Sequence, residues 1–175
     1  LAAAASGALL LSARAAEDGY VLHINKDAYV CASPFVADYT LTGEDGQTVF
    51  SGEDFVEVYH LTADGAGEQD VSIAAYSVNI DAEAPEKAGY RRVGLEDSGC
   101  FSAETAGKLR AIVQWSYPHK DVSAIQAAAN PWLQSHGLPE IRHLQSGEAV
   151  LAAQLAIWEL TNQGKFTVNE YLSGW

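Results

Sequence analysis

The sequence predicts an α+β fold, with a β-sandwich or barrel-like N-terminal part followed by a helical lobe. Between Gly19 and Ile80 the chain runs through short β-prone stretches separated by Gly-rich and acidic turns. From Ser102 onward the apolar residues recur at spacings of three and four instead. Strands first and helices after fit this class better than an alternating α/β fold. The chain has 175 residues, 48% of them hydrophobic and 19% charged, which suits a single domain with its own core.

The first sixteen residues stand apart. Leu1 to Ala16 is an apolar run of small residues ending in Ala13-Arg14-Ala15. It reads as the later part of a secretory signal peptide with its A-x-A cleavage site. An N-terminal core helix is the alternative, and the run is too short and interrupted to span a membrane. The module proper is then 17–175, β-rich over 19–80 and mixed or helical over 81–175.

Within the β-rich part, Tyr20 to Ile24, Ala28 to Cys31 and Val36 to Thr42 are strand candidates. Glu44-Asp45-Gly46 separates Tyr39-Thr40-Leu41 from Thr48-Val49-Phe50 and predicts a hairpin turn. Phe55 to Leu61 alternates as a further strand, and a Gly-rich turn from Ala63 to Gly67 leads to another at Val71 to Ile80. In that last strand Ser77 faces the side of Val71, Ile73 and Ala75, opposite Ala74, Tyr76, Val78 and Ile80. Asp81 to Ser98 is a polar, acidic excursion between the two parts.

Ser102 opens a helix to Gln114, with Leu109, Ile112 and Val113 on its buried side and Tyr117-Pro118 after its end. Asp121 to Ala129 predicts a second helix stopped by Pro131, and Leu138 to His143 a loop. Ser146, as N-cap with Glu148 in the first turn, opens the third and most apolar helix, which stops at Asn162-Gln163-Gly164. Val150, Gln154, Ile157 and Trp158 share one face of it, widened by Leu151 and Leu155. Gln154 is the odd member. An amide in an apolar stripe must find partners or lose about 1–3 kcal/mol. Either it bonds a neighbouring backbone group, or its carboxamide is held partly dry for a chemical partner elsewhere in the chain. Phe166-Thr167-Val168 predicts a returning strand.

Composition narrows the function. With 23 acidic residues against 10 basic, the net charge is −13, which disfavours nucleic acid and anionic membrane as partners. His23, His60, His119, His136 and His143 form no H-E-x-x-H, and no C-x-x-C is present, so no metal or other cofactor is expected. There is no Gly-rich phosphate loop and no G-x-S-x-G. Arg91-Arg92 beside Glu96-Asp97 reads as a solvated ion cluster. Cys31 and Cys100 form one disulfide in an exported chain or remain two unrelated buried thiols. Either thiol with His119, His136 or His143 would be the pair of a hydrolase, but no local signature singles one out.

Ala153-Gln154-Leu155-Ala156-Ile157-Trp158 resembles the T-Q-x-A-I-W signature of the thioester (TQXA) domains of Gram-positive surface adhesins, with Ala153 where Thr is usual. Ala75-Tyr76-Ser77-Val78-Asn79-Ile80-Asp81 resembles the family's A-Y-C stretch, an aliphatic residue and an acid following. Tyr90 to Val93, and Lys108 to Val113 ahead of Tyr117-Pro118, are similar to further family segments in the same order. The resemblance covers about Ala74 to Thr161. It implies a Cys thiolate attacking the Gln carboxamide, expelling ammonia and leaving an internal thioester that an amine on a host surface opens.

On this resemblance the cross-link positions are Ser77 and Gln154, with Tyr76 and Trp158 as neighbours shaping the site, and no catalytic residue is expected because the protein is not an enzyme. Ser77 stands where the family has its Cys, and a serine hydroxyl needs an activating base where a thiol does not. The resemblance therefore implies a secreted or cell-wall adhesin module without a working thioester, part of a longer surface protein, whose partner is a host or neighbouring-cell surface protein or an amine-bearing ligand. The alternative is a single-turnover reactive domain, with Gln154 joined to Ser77 as an ester or to Cys31 or Cys100 as a thioester.

Overall fold

The computed structural model describes residues 22–24, 36–56, 59–63, 72–80, 90 and 93–170. The apolar run at 1–16, the strand candidate from Ala28 to Cys31 and most of the acidic excursion lie outside the described residues. Among those described, six strands and three helices give an α+β fold.

Two antiparallel sheets of three strands each build the β part. In the first, β2 (Val36–Thr42) and β3 (Thr48–Phe55) form the expected hairpin. Its turn is set by Gly46 at φ 77°, and by Asp45, whose carboxylate accepts the Gln47 N–H at 3.0 Å. β6 (Phe166–Glu170) returns along the other edge of β2, giving the order β3-β2-β6. The second sheet has the order β1-β4-β5, from Leu22–Ile24, Tyr59–Ala63 and Ser72–Ala75.

Two strands differ from expectation, and both differences arise because side-chain alternation outlasts backbone pairing. Phe55 to Leu61 is not one strand: β3 ends at Phe55, Val56 turns into the core, and the chain re-enters as β4 in the other sheet. Among the described residues of the Val71 to Ile80 stretch, pairing covers only Ser72–Ala75. Tyr76 and Val78 stay buried beyond the sheet, so the alternation persists where the ladder has stopped.

α1 (Ala103–Gln114) begins at Ser102, whose hydroxyl accepts the Thr105 N–H at 3.1 Å. α2 (Val122–Ser135) begins at Asp121 and does not stop at Pro131. Proline removes one backbone bond and usually breaks a helix. Here the lost acceptor would be Ala127, which is exposed, and α2 is a surface helix with no buried residue. The side chains of Gln126 and Asn130 also tie the turn of α2 ahead of the proline to the backbone of Ile141. α3 (Ser146–Thr161) is capped one residue earlier than expected, by Gln145, whose N–H donates to the Glu148 carboxylate at 2.7 Å. Its last turn closes on Asn162, whose backbone and side-chain N–H groups both donate to the Trp158 carbonyl.

α3 is the centre of the molecule because it faces two cores. Val150, Ala153 and Ile157 pack with Tyr76, Val78, Leu95, Ala106, Leu109 and Val113. Leu155 and Trp158 pack with Ala37, Tyr39, Leu41 and Phe166 of the β3-β2-β6 layer and with Val56 just after β3. At about 100° per residue, Gln154 sits on the seam, with Val150, Ala153 and Ile157 to one side and Leu151, Leu155 and Trp158 to the other. The single face read from the sequence is therefore two faces meeting at a glutamine. Leu109 is fully buried between α1 and α3, so Leu109→Ala should cost about 2–5 kcal/mol in urea unfolding without changing the far-ultraviolet dichroism.

Candidate functional site

The segment from Tyr76 to Ile80 has left its sheet, so its backbone polar groups need other partners. Gln154, with 0% of its surface exposed, supplies them. Its Oε1 accepts the Ser77 N–H at 2.9 Å, and its Nε2 donates to the Ser77 carbonyl at 2.6 Å. One side-chain amide thus does for Ser77 what a neighbouring antiparallel strand would do. Two turns further along the same line of α3, the Thr161 hydroxyl lies 2.9 Å from the Val78 carbonyl and 2.9 Å from that of Ile157. At the other end of the segment, the Tyr76 hydroxyl donates to the carbonyl of Tyr117 in the connection after α1.

The Ser77 side chain takes a separate path. Its half-buried hydroxyl donates to the Asn79 carbonyl at 2.9 Å, its one side-chain partner among the described residues. That acceptor is neutral and cannot serve as a base. The structure thus brings Ser77 and Gln154 together through the backbone of one and the side chain of the other. The backbone groups that satisfy Gln154 thus come from Ser77, far from it in the chain, and not from a neighbouring residue of the helix.

Trp158 is 8% exposed, with its ring 6.0 Å from Tyr39 and 5.9 Å from Phe166. Its indole N–H has no hydrogen-bond partner among the described residues. Such an orphaned donor costs about 1–3 kcal/mol, and the tryptophan holds its place by aromatic packing. Tyr76, 1% exposed, anchors the opposite core.

The remaining candidates lie elsewhere. Cys100 is an exposed, free thiol ahead of α1, so it does not reach the buried carboxamide of Gln154; Cys31 lies outside the described residues. His119, His136 and His143 are exposed, and the side chains of His23 and His60 are not described. Among the described residues no three His, Cys, Asp or Glu gather as a metal site would need, and no helix is long and apolar enough to cross a membrane. Glu96 pairs with Arg110 at 2.6 Å across the surface, and that hydrogen bond holds its carboxyl below the usual range; Arg91 and Arg92 lie outside the described residues. Asp121 is likewise lowered, by the Ser123 hydroxyl and then the Ala124 N–H that make it the cap of α2. Burial pushes the Tyr90 phenol up.

Sequence reasoning missed Thr161, Asn79 and Tyr117 as supports of the site. Thr161 left a signal: it lies seven residues after Gln154, on the same line of the helix, polar in an apolar neighbourhood. The two carbonyl acceptors left none, since any residue supplies a carbonyl.

Removing the amide should be costly in a way that identifies its role. Gln154→Leu strands the Ser77 N–H and carbonyl, at about 1–3 kcal/mol each. Gln154→Glu keeps the shape but buries a carboxyl, whose folded-state pKa burial raises above its unfolded value near ~4.3. The protonated acid can still donate to the Ser77 carbonyl, so the variant's stability is retained below that unfolded value and falls as pH rises through the folded one. Denaturant midpoints from pH 4 to 8 should show the deficit of Gln154→Glu growing with pH, while that of Gln154→Leu stays flat.

A thioester-domain family model matches residues 74–173, more than half of the chain. The match runs from the end of β5 through all three helices and β6, and so contains Ser77, Gln154 and Thr161. No curated protein and no solved structure matches the chain. A helix glutamine gripping the segment that leaves β5, inside a match of this extent, places the chain in the thioester domain family.

Proposed function

We propose that this protein is an attachment module of a secreted, cell-wall-associated adhesin, and that it holds its partner without a covalent bond. The partner is a host or neighbouring-cell surface protein, met as a binding surface and not as a substrate to be turned over. The observation that carries this reading is the Gln154 carboxamide seated on both backbone groups of Ser77: the two cross-link positions meet, but the side chain at 77 is a hydroxyl. A serine nucleophile needs a base, and the Ser77 hydroxyl is donated to a peptide carbonyl with no titratable group bonded to it. A thiol in the same place would need less help, since its pKa near ~8.5 leaves some thiolate at neutral pH. The net charge of −13 suits an exposed module that stays clear of anionic lipid and nucleic acid.

Intact mass before and after exposure to a primary amine tests the reading. The natural chain should keep its full mass and take up no amine, whereas Ser77→Cys should lose the mass of one ammonia and then label. A natural chain already short by one ammonia would replace this reading with a single-turnover reactive domain. A folded Ser77→Cys that neither loses ammonia nor labels would remove residue 77 from the cross-link position.

A further inference from the structure

We propose that the Ser77 backbone N–H is the oxyanion donor of an acyl-exchange centre at the Gln154 carboxamide carbon, with Thr161 and Tyr76 as its positioning residues. The inference rests on the reading of residue 77 as the cross-link position. It concerns the machinery around that position, which the chain retains although the thiol is absent.

One amide can bond both the N–H and the carbonyl of a single residue only if that residue is extended, with both groups on one edge. The side chain of an extended residue stands out of the plane of those groups. The Ser77 Cβ therefore rises off one face of the carboxamide that its own backbone holds. A reactive atom at the γ position, turned away from the Asn79 carbonyl that the Ser77 hydroxyl bonds here, would approach the carbonyl carbon from that face, as addition requires, and not along its edge. Addition would put negative charge on Oε1, which already lies 2.9 Å from the Ser77 N–H, within the reach expected of an oxyanion donor. The leaving nitrogen is oriented as well, because Nε2 donates to the Ser77 carbonyl at 2.6 Å.

With cysteine at position 77, the step balances without a further reactant. The thiolate sulfur bonds to Cδ, the Cδ–Nε2 bond breaks, and the nitrogen leaves as ammonia carrying the thiol's proton. When a primary amine later attacks Cδ, charge returns to Oε1, the same N–H meets it, and the thiolate departs. One backbone donor serves both steps.

A donor of this kind works only if its peptide is fixed, and the sheet does not fix it, since pairing of β5 ends at Ala75. Thr161 holds the Val78 carbonyl on one side, and the Tyr76 hydroxyl holds the Tyr117 carbonyl on the other. Neither side chain is expected to touch the reacting atoms; both act through the peptide they restrain.

The test uses the full chain carrying Ser77→Cys, refolded from the reduced, denatured state, with loss of ammonia followed by intact mass. Adding Thr161→Val should slow that loss about tenfold, the change that one hydrogen bond's free energy carries in a rate. Thr161→Ser should restore it to within about twofold, since the hydroxyl is the part that acts. Tyr76→Phe provides an independent second clamp should Thr161→Val not fold. In the formed thioester, the carbonyl stretch isolated by 13C-glutamine labelling should lie at lower wavenumber in Ser77→Cys than in either clamp variant, a shift that a purely structural role would not produce. Folded clamp variants that form the bond at the parent rate, with an unmoved carbonyl stretch, would overturn the proposal while leaving the cross-link position intact. A folded Ser77→Cys that never loses ammonia would overturn both.

Discussion

The structure depends on a glutamine acting as a strand. Tyr76 to Ile80 must leave the sheet to pack Tyr76 and Val78 against α1 and α3, and this departure strips Ser77 of its ladder. A buried peptide without partners costs more than the packing of one side chain returns. Gln154 resolves the conflict with its two-point grip, and it can do so only because α3 lies between the two cores. The helix is apolar on both flanks for the same reason. It is an internal support with one polar seam, and Gln154 and Thr161 are that seam.

On the proposed reading, the same bonds would serve both chemistry and stability. The amide that completes the backbone accounting of the segment would then also stand at the cross-link position, where its burial would keep water from its carbon. The grip uses only the backbone of residue 77, so it does not depend on the side chain that stands there. The Ser77 hydroxyl finds a local acceptor in the Asn79 carbonyl.

Much of this was legible in the sequence. The hairpin at Glu44-Asp45-Gly46, the cap at Ser102, the returning strand at Phe166 and the oddness of Gln154 all follow from local pattern, and the structure has each of them. The losses share one cause. Alternation reports which side chains are buried, not which backbone is paired, so the corner at Val56 and the end of β5 at Ala75 were invisible. Pro131 misled because its penalty is an average, and a surface helix with an exposed acceptor and side-chain ties to Ile141 escapes part of it. The partner of Gln154 could not come from periodicity at all. Only the resemblance around Tyr76-Ser77-Val78 pointed to it, and that resemblance named the residue without showing that its backbone, and not its hydroxyl, makes the contact.

The most direct measurement of the central claim is hydrogen exchange at the Gln154 carboxamide and the Ser77 amide, followed by assigned 15N–1H spectra of the natural chain. The account predicts a Gln154 side-chain NH2 pair that is present and exchanges as slowly as the amides of the core, together with an equally protected Ser77 N–H. An NH2 pair that exchanges like an exposed glutamine, or one whose nitrogen is missing, would contradict it.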